Sequence, residues 1–193
     1  MLVLRYSVHH LVLFSVLAAL CIGIQLTPRP PNVEFTSLIV FVAGAVFGVS
    51  FGAGLGALVM FINGFASPFG VAGIILPFQL IGMAVVGVGG GLYGRSRHGC
   101  YDVQSCTEAA ILGAFLTLVY DLITNFGFAV TYMLVGEPVF LALVSAIVSG
   151  AVFSVVHVVS NTVFFGAAFL PVTSALQKLL GGEQTWKREF SRM

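Results

Sequence analysis

The sequence predicts an all-α integral membrane protein, a compact bundle of six transmembrane helices with both termini in the cytoplasm. Of the 193 residues, 59% are hydrophobic and only 8% are charged, whereas a soluble domain carries roughly 25% charged residues. The apolar residues form long continuous runs, as helices of ~20 residues that cross a bilayer require, and not the alternation that is typical of a β-barrel. At this length we expect residues 1–193 to form a single transmembrane domain.

The first three helices are predicted from apolar runs that end where a helix cannot continue. The first covers about 8–26 and ends at the proline-rich segment 28–32, because proline breaks the helical hydrogen-bond pattern. The second covers about 34–47 and the third about 51–65, with a glycine turn between them. Both are short for a full crossing, so we expect local thinning of the bilayer or flanking contacts to compensate.

Three further helices complete the predicted bundle. They cover about 74–93, 108–135 and 139–170. The last run is long for one crossing and short for two, and a seventh crossing would place the basic tail outside. We therefore interpret it as one long helix that projects or bends before Pro171, with residues 174–180 forming a short interfacial end.

The lysines and arginines predict the orientation in the membrane. Cytoplasmic segments of membrane proteins carry an excess of Lys and Arg, and of the eight in this chain only Arg29 falls on the opposite side from the others. We therefore expect Arg29 outside, and both termini and the polar loop 95–107 in the cytoplasm, in a multi-pass protein of the plasma membrane. The cytoplasmic group consists of Arg5, Arg95, Arg97, Lys178, Lys187, Arg188 and Arg192.

Several partners and cofactors are not expected. The net charge of +1 gives no general attraction to nucleic acid. Cys100 and Cys106 share the polar loop with His98, but this spacing fits no standard zinc pattern, so no metal is predicted. The chain also contains no phosphate-binding loop, so it does not bind ATP in that way.

Asp121 is the residue that most strongly indicates a functional site. A carboxylate at bilayer depth costs ~2.5–3.5 kcal/mol on insertion scales, so it usually faces the protein interior or a wet cavity. Asp121 and Asn125 share a face of the fifth helix, and His157 lies on a polar face of the sixth. Because a tight turn near Glu137 makes these helices antiparallel, we expect Asp121 and His157 within about one helical turn, ~5 Å along the axis. A purely structural contact between the two helices is the alternative.

Residues near the outer loops are further candidates for this site. Asn63 and Phe69 lie around the break after the third helix, Gln79 lies just inside the fourth, and Tyr132 lies at a similar depth on the fifth. Aromatic walls with a few polar groups are typical of small-molecule pockets. With 18 phenylalanines in the chain, ordinary packing is the alternative for each aromatic residue taken singly.

A stripe of small residues marks the first helix. Ser15, Ala19 and Gly23 recur at every fourth position, and such stripes let membrane helices approach closely. The stripe predicts either packing within the monomer or a docking surface for another membrane subunit, and among several such stripes this one is the best candidate for docking.

Together these motifs resemble a substrate-binding S component of an energy-coupling factor (ECF) transporter. The resemblance covers most of the chain. Besides the stripe on the first helix, it rests on Pro28-Arg29-Pro30-Pro31, Gly52-Ala53-Gly54-Leu55-Gly56, Ser67-Pro68-Phe69-Gly70, Pro77-Phe78-Gln79 and Tyr120-Asp121-Leu122-Ile123-Thr124-Asn125.

The resemblance implies a protein without enzymatic activity that captures a vitamin or similar water-soluble micronutrient from outside and topples in the membrane to deliver it. It implies as partners the lipid bilayer, a transmembrane coupling subunit that contacts Ser15, Ala19 and Gly23, and two cytoplasmic ATPase subunits. The ligand-binding residues that it implies are Asn63, Phe69, Gln79, Asp121, Asn125, Tyr132 and His157.

Two other functions stay open. The first is a membrane scaffold similar to the rod-shape morphogenesis protein of the MreD type, which would need no pocket for a small ligand. The second is an intramembrane enzyme that uses Asp121 and His157 as an acid–base pair, which requires the two side chains to lie within hydrogen-bond reach, ~3 Å.

Overall fold

The structure, a computed structural model that describes residues 8–190, consists of helices joined by short segments. In this range there are six α-helices and no strand, so the all-α fold class is confirmed. Arg5 and Arg192, which contribute to the predicted orientation, lie outside the described residues. The helices are α1 (Val8–Leu26), α2 (Thr36–Phe47), α3 (Val49–Ala66), α4 (Leu76–Ser96), α5 (Val103–Leu134) and α6 (Val139–Phe190), and a 3-10 turn (Gly73–Ile75) precedes α4.

The length and composition of these helices are consistent with a multi-pass membrane protein. Four segments are long and apolar enough to cross a membrane, namely Val49–Ala66, Gly73–Ser96, Val103–Leu134 and Val139–Leu179. The helices at His10–Leu26 and Thr36–Phe47 are apolar but shorter. Large apolar side chains remain exposed along the outer faces of α1, α5 and α6, as a surface in contact with lipid requires.

The helix α2 forms the centre of the fold. Every residue from Thr36 to Ala45 is buried, and α2 packs against α3, α4 and α6 with a smaller contact to α1. Gly48 alone separates α2 from α3, and its φ of 101° is a conformation that a residue with a side chain rarely adopts. The glycine turn therefore makes α2 and α3 a close hairpin.

Glycines allow α2, α3 and α4 to approach backbone to backbone. A Cβ atom added at Gly52 would lie 2.6 Å from the Cα of Gly44, and one added at Gly91 would lie 2.5 Å from the Cα of Val49. No side chain fits at these distances, so the glycine stripes of α3 and α4 pack within the chain. Gly23 on α1 differs, because a Cβ there would meet nothing within 4 Å.

Two helix boundaries differ from the prediction. α5 begins at Val103, inside the predicted loop 95–107, because Asp102 caps it by accepting hydrogen bonds from the backbone N–H and the hydroxyl of Ser105 at 3.0 and 2.9 Å. These bonds also hold the pKa of the Asp102 carboxyl below its usual value.

The sixth helix also differs, because α6 continues through Pro171 without a separate interfacial segment at 174–180. Proline has no backbone N–H, so the carbonyl four residues before Pro171, that of Ala167, loses its helical donor. The buried side chains of Phe169 and Leu176, on either side of the proline, lie in the core, and the Thr173 hydroxyl donates to the Phe169 carbonyl at 2.6 Å.

The two ends of the bundle differ in character. At one end the loop before α5 is tied down: the Tyr101 hydroxyl donates to the Ala45 carbonyl at 3.1 Å, and the Gln177 amide donates to the Gly99 carbonyl at 2.7 Å. Burial raises the pKa of Tyr101 to about 12, which keeps the hydroxyl protonated as a donor. At the other end, the segments 25–34 and 67–75 border a cavity.

Candidate binding site

A cavity of about 750 Å³ lies between the helices at this second end. Its walls come from α3, α4, α5 and α6, and the segments 25–34 and 67–75 form its rim. Sites for small molecules and cofactors typically measure about 300–1,000 Å³. The cavity is therefore large enough for a ligand of the size of a vitamin.

The structure places all seven residues predicted from the sequence around this cavity. They come from four helices and one connecting segment and are separated by up to 94 positions along the chain, from 63 to 157. Their role in binding a ligand stays a prediction, but they do form one lining surface. They are Asn63 from α3, Phe69 from the segment that follows it, Gln79 from α4, Asp121, Asn125 and Tyr132 from α5, and His157 from α6.

Asp121 and His157 are in direct contact in the wall of the cavity. The Asp121 Oδ1 and the His157 Nδ1 lie 2.8 Å apart, and the two residues are only 5% and 4% exposed. One turn deeper, the Asn161 amide donates to the Thr117 hydroxyl at 2.9 Å. A row of buried polar contacts thus joins α5 to α6.

Glu34, which the sequence analysis treated only as the start of the second helix, completes this cluster. Its Oε1 lies 3.4 Å from the His157 Nε2, although the two residues are 123 positions apart. The carboxylate also accepts hydrogen bonds from the Thr36 N–H at 2.6 Å and the Ser37 hydroxyl at 2.5 Å. The sequence signal was an acidic residue shortly before the apolar run that begins at Leu38, after a proline-rich break.

The imidazole of His157 therefore lies between two carboxyl groups. A neutral imidazole donates from one nitrogen only, whereas the imidazolium form donates from both. Asp121 and Glu34 each offer an acceptor oxygen to one of the two nitrogens. In the form that donates to both carboxylates, the cluster carries one net negative charge.

Hydrogen-bond acceptors line the cavity without a partner. The buried Asp121 Oδ2, Asn63 Oδ1 and Gln79 Oε1 accept no hydrogen bond from any group in the described part of the chain. A buried polar atom without a partner costs about 1–3 kcal/mol. A ligand or water that donates to these oxygens would remove that cost.

Arg29 and Phe69 meet at the rim of the cavity. The Arg29 guanidinium lies 5.6 Å from the centre of the Phe69 ring, a distance typical of a cation–π contact. The same guanidinium donates to the Val33 carbonyl at 3.2 Å and to the Gln25 side chain. The contact therefore joins the segment after α1 to the segment after α3 across the opening.

Among the other lining residues, Gln25, Arg29 and Tyr120 also carry polar groups and were not predicted as site residues. The Tyr120 ring lies edge-on to the His157 ring, with 5.7 Å between the ring centres, and the Tyr120 hydroxyl lies 3.7 Å from the Met60 Sδ. Arg29 had a signal in the sequence, because it is the one basic residue at its end of the predicted bundle. Tyr120 had no signal beyond its place in the quoted motif Tyr120-Asp121-Leu122-Ile123-Thr124-Asn125, and Gln25 had none.

The predicted docking residues do not line the cavity. Ser15, Ala19 and Gly23 are all exposed on one side of α1. The Ser15 hydroxyl donates to the Leu11 carbonyl within the same helix at 2.9 Å. The stripe is thus uncovered by the described part of the chain, and contact with a partner stays a prediction.

The cavity offers side chains for binding an organic ligand. Among the described residues, no group of three or more His, Cys, Asp and Glu side chains is arranged to hold a metal ion. In the cluster of Asp121, His157 and Glu34, both ring nitrogens lie against one oxygen of each carboxyl group, and Glu34 also accepts a hydrogen bond from the Ser37 hydroxyl. Neither a protein-family model, nor a curated protein, nor a solved structure matches this chain.

Proposed function

We propose that the protein is the substrate-capture subunit of an ATP-driven importer of the ECF type, and that it binds a vitamin or similar water-soluble micronutrient. The observation that carries this proposal is the cavity of about 750 Å³ whose wall contains the buried Asp121–His157–Glu34 cluster. A ligand taken from dilute solution needs an enclosed site with directed hydrogen bonds, and the cavity offers both.

The energy for transport would come from partner subunits. The sequence contains no phosphate-binding loop, so a coupling subunit in the membrane and a pair of cytoplasmic ATPases would supply ATP hydrolysis. The exposed stripe of Ser15, Ala19 and Gly23 supports docking of the coupling subunit on α1, because a Cβ added at Gly23 meets nothing within 4 Å and a partner helix has space to approach.

The orientation that we propose places the mouth of the cavity outside the cell. Six crossings, by α1 to α6, put both termini on the same side. Arg95 and Arg97 lie at the end of the bundle where Gln177 bonds the Gly99 carbonyl, with Lys178 next to Gln177. Arg29 lies at the cavity end. The excess of basic residues in cytoplasmic segments then supports a cytoplasmic location for the Arg95 end, in the plasma membrane.

One observation favours a second candidate, an intramembrane enzyme. The separation of 2.8 Å between Asp121 and His157 is within the range for general acid–base catalysis. The same distance is also that of an ordinary structural or ligand-orienting hydrogen bond. The two functions differ in outcome, because a capture subunit releases its ligand unchanged and an enzyme does not.

The test is to identify what the purified protein binds. We expect small molecules extracted from the protein, and identified by mass spectrometry, to include a micronutrient that raises the melting temperature when added back and is recovered unchanged. Asp121→Asn should lower the affinity for this ligand by about tenfold or more, because the ligand loses a charged partner. A folded sample that retains no ligand and responds to no member of a vitamin panel would contradict the proposal, and a chemically altered ligand would favour the enzyme.

Docking on α1 has a separate test. Ala19→Leu should leave ligand binding unchanged and abolish uptake in cells, because the larger side chain keeps a partner helix at a distance. Val16→Leu, at an exposed position beside the stripe, is the matched control and should leave both unchanged. Normal uptake by Ala19→Leu would exclude this docking surface.

A further inference from the structure

The polar groups in the cavity wall point to a ligand of a particular charge. We propose that the site selects a cationic nitrogen group with several N–H donors, such as an amidinium or a protonated amino-substituted heterocycle, and that this group binds at Asp121. The inference rests on the proposed capture function, and it adds the chemical class of the ligand.

The first step is the imbalance between free acceptors and free donors. Three buried acceptor oxygens in the wall lack a partner in the described part of the chain, on Asp121, Asn63 and Gln79, whereas among the lining residues the Arg29 Nε at the rim is the one buried donor without a partner. The side chains of Asn63 and Gln79 can also donate, but both oxygens of an ionised Asp121 can only accept. A ligand that brings donors satisfies this set, and a ligand that brings acceptors does not.

The second step concerns the groups that would otherwise attract an anion. His157 faces carboxyl oxygens with both ring nitrogens, at 2.8 and 3.4 Å, so neither nitrogen is available to a ligand. Arg29 is engaged by the Gln25 side chain, the Val33 carbonyl and the face of Phe69. An anion beside the cluster would therefore meet the carboxylates of Asp121 and Glu34, and the other cation among the lining residues, Arg29, lies at the rim.

The third step is the aromatic lining. Tyr120 precedes Asp121 in the chain and contacts His157 edge-on at 5.7 Å, and Phe128 lies two turns further along the same wall. The faces of aromatic rings attract cations and stack on planar heterocycles. A flat cationic group thus fits both the acceptors and the apolar part of the wall.

Three matched fragments test this charge preference. Benzamidine, benzamide and benzoate have the same ring and nearly the same size, but they are cationic, neutral and anionic. We expect benzamidine to bind the wild-type protein at least about tenfold more tightly than benzamide, as a charge-assisted bond gives, and benzoate to bind most weakly. Thermal shift and ligand-observed NMR in detergent provide two independent readouts.

Two matched variants test whether the preference for a cationic fragment depends on Asp121. Asp121→Asn should bring the affinities for benzamidine and benzamide to within about threefold, whereas Asp102→Asn, which removes a carboxylate at the opposite end and keeps a capping side chain, should leave the ratio as in the wild type. If Asp121→Asn does not fold, Gln79→Ala serves in its place. This variant should weaken the binding of benzamidine more than the binding of benzoate.

Two results would overturn the inference. The first is that benzoate or benzamide binds as well as benzamidine, or that none of the three binds. The second is that the ligand extracted from the purified protein lacks a cationic nitrogen group. In both cases a ligand that co-purifies and is released unchanged would leave the capture function standing, so the two proposals fail separately.

Discussion

The contact between Asp121 and His157 shows how side-chain direction sets the register of two antiparallel helices. Asp121 lies sixteen residues before Glu137, whereas Ser154 lies seventeen and His157 twenty residues after it. Equal distances from the turn would therefore set Asp121 nearly level with Ser154, one turn above His157. Side chains on a helix point towards its N-terminus, so those on α5 and α6 point in opposite directions along the membrane normal. They meet when the residue on α6 is the deeper one, and for this reason His157 and not Ser154 bonds Asp121.

Individual residues of the site were predictable to different extents. The seven predicted residues lie around one cavity. They could be predicted because each has a local signal, such as a polar residue in an apolar helix or an aromatic residue beside a break. The contact between Glu34 and His157 was not predictable in this way. It depends on the central position of α2, and no periodicity within one helix contains that information.

A residue-scale prediction follows for Glu34. Its carboxylate accepts hydrogen bonds from the Thr36 N–H and the Ser37 hydroxyl and lies beside His157. We expect Glu34→Ala to lower the free energy of unfolding by about 1–3 kcal/mol, because buried donors lose their acceptor. Glu34→Gln keeps one acceptor oxygen and should cost less. The measurement is thermal unfolding in detergent, and equal stability of the two variants and the wild type would show that these hydrogen bonds contribute nothing.

At the scale of the elements, the sequence predicted which helices form better than where they end. The start of α5 was missed because the capping box at Asp102 and Ser105 lies in a segment that is polar throughout. The continuity of α6 was missed because Pro171 reads as a helix end, while its tolerance depends on tertiary contacts by Phe169 and Leu176. Both differences arise from interactions that an apolar pattern does not encode.

Two glycines in helices give a matched prediction at this scale. Gly52→Ala places a methyl group 2.6 Å from the Cα of Gly44, so α2 and α3 must move apart, and overpacking of this kind costs about 1–3 kcal/mol. Gly23→Ala meets open space and should stabilise α1 by up to about 1 kcal/mol through helix propensity. Melting temperatures in detergent compare the two variants with the wild type. If the melting temperature of Gly52→Ala equals or exceeds that of Gly23→Ala, the close backbone contact between α2 and α3 is contradicted.

At the scale of the whole molecule, composition predicted the class of protein and the charge pattern predicted its orientation. The four long apolar helices agree with the class. The way in which α2 closes the centre of the bundle was not predicted, because it depends on glycine contacts between three helices at once.

Orientation is open to a direct measurement with cysteines. Cys100 is exposed at the Arg95 end, and Cys21 is buried. In a Cys106→Ser background, we expect Cys100 to react with a membrane-impermeant maleimide only after the cells are permeabilised. A cysteine introduced by Pro68→Cys at the mouth of the cavity, in a protein that lacks the other cysteines, should react in intact cells. The reverse pattern would mean that the cavity opens to the cytoplasm.

The enclosure of α2 has a consequence for biogenesis. Its twelve residues extend roughly 18 Å at 1.5 Å per residue, which is well short of a hydrocarbon layer of ~30 Å. During synthesis this segment leaves the ribosome before α4 and α6 exist to surround it. The hinge at Gly48 lets α2 enter the bilayer folded back against α3, and the nascent chain must hold that hairpin until the later helices arrive.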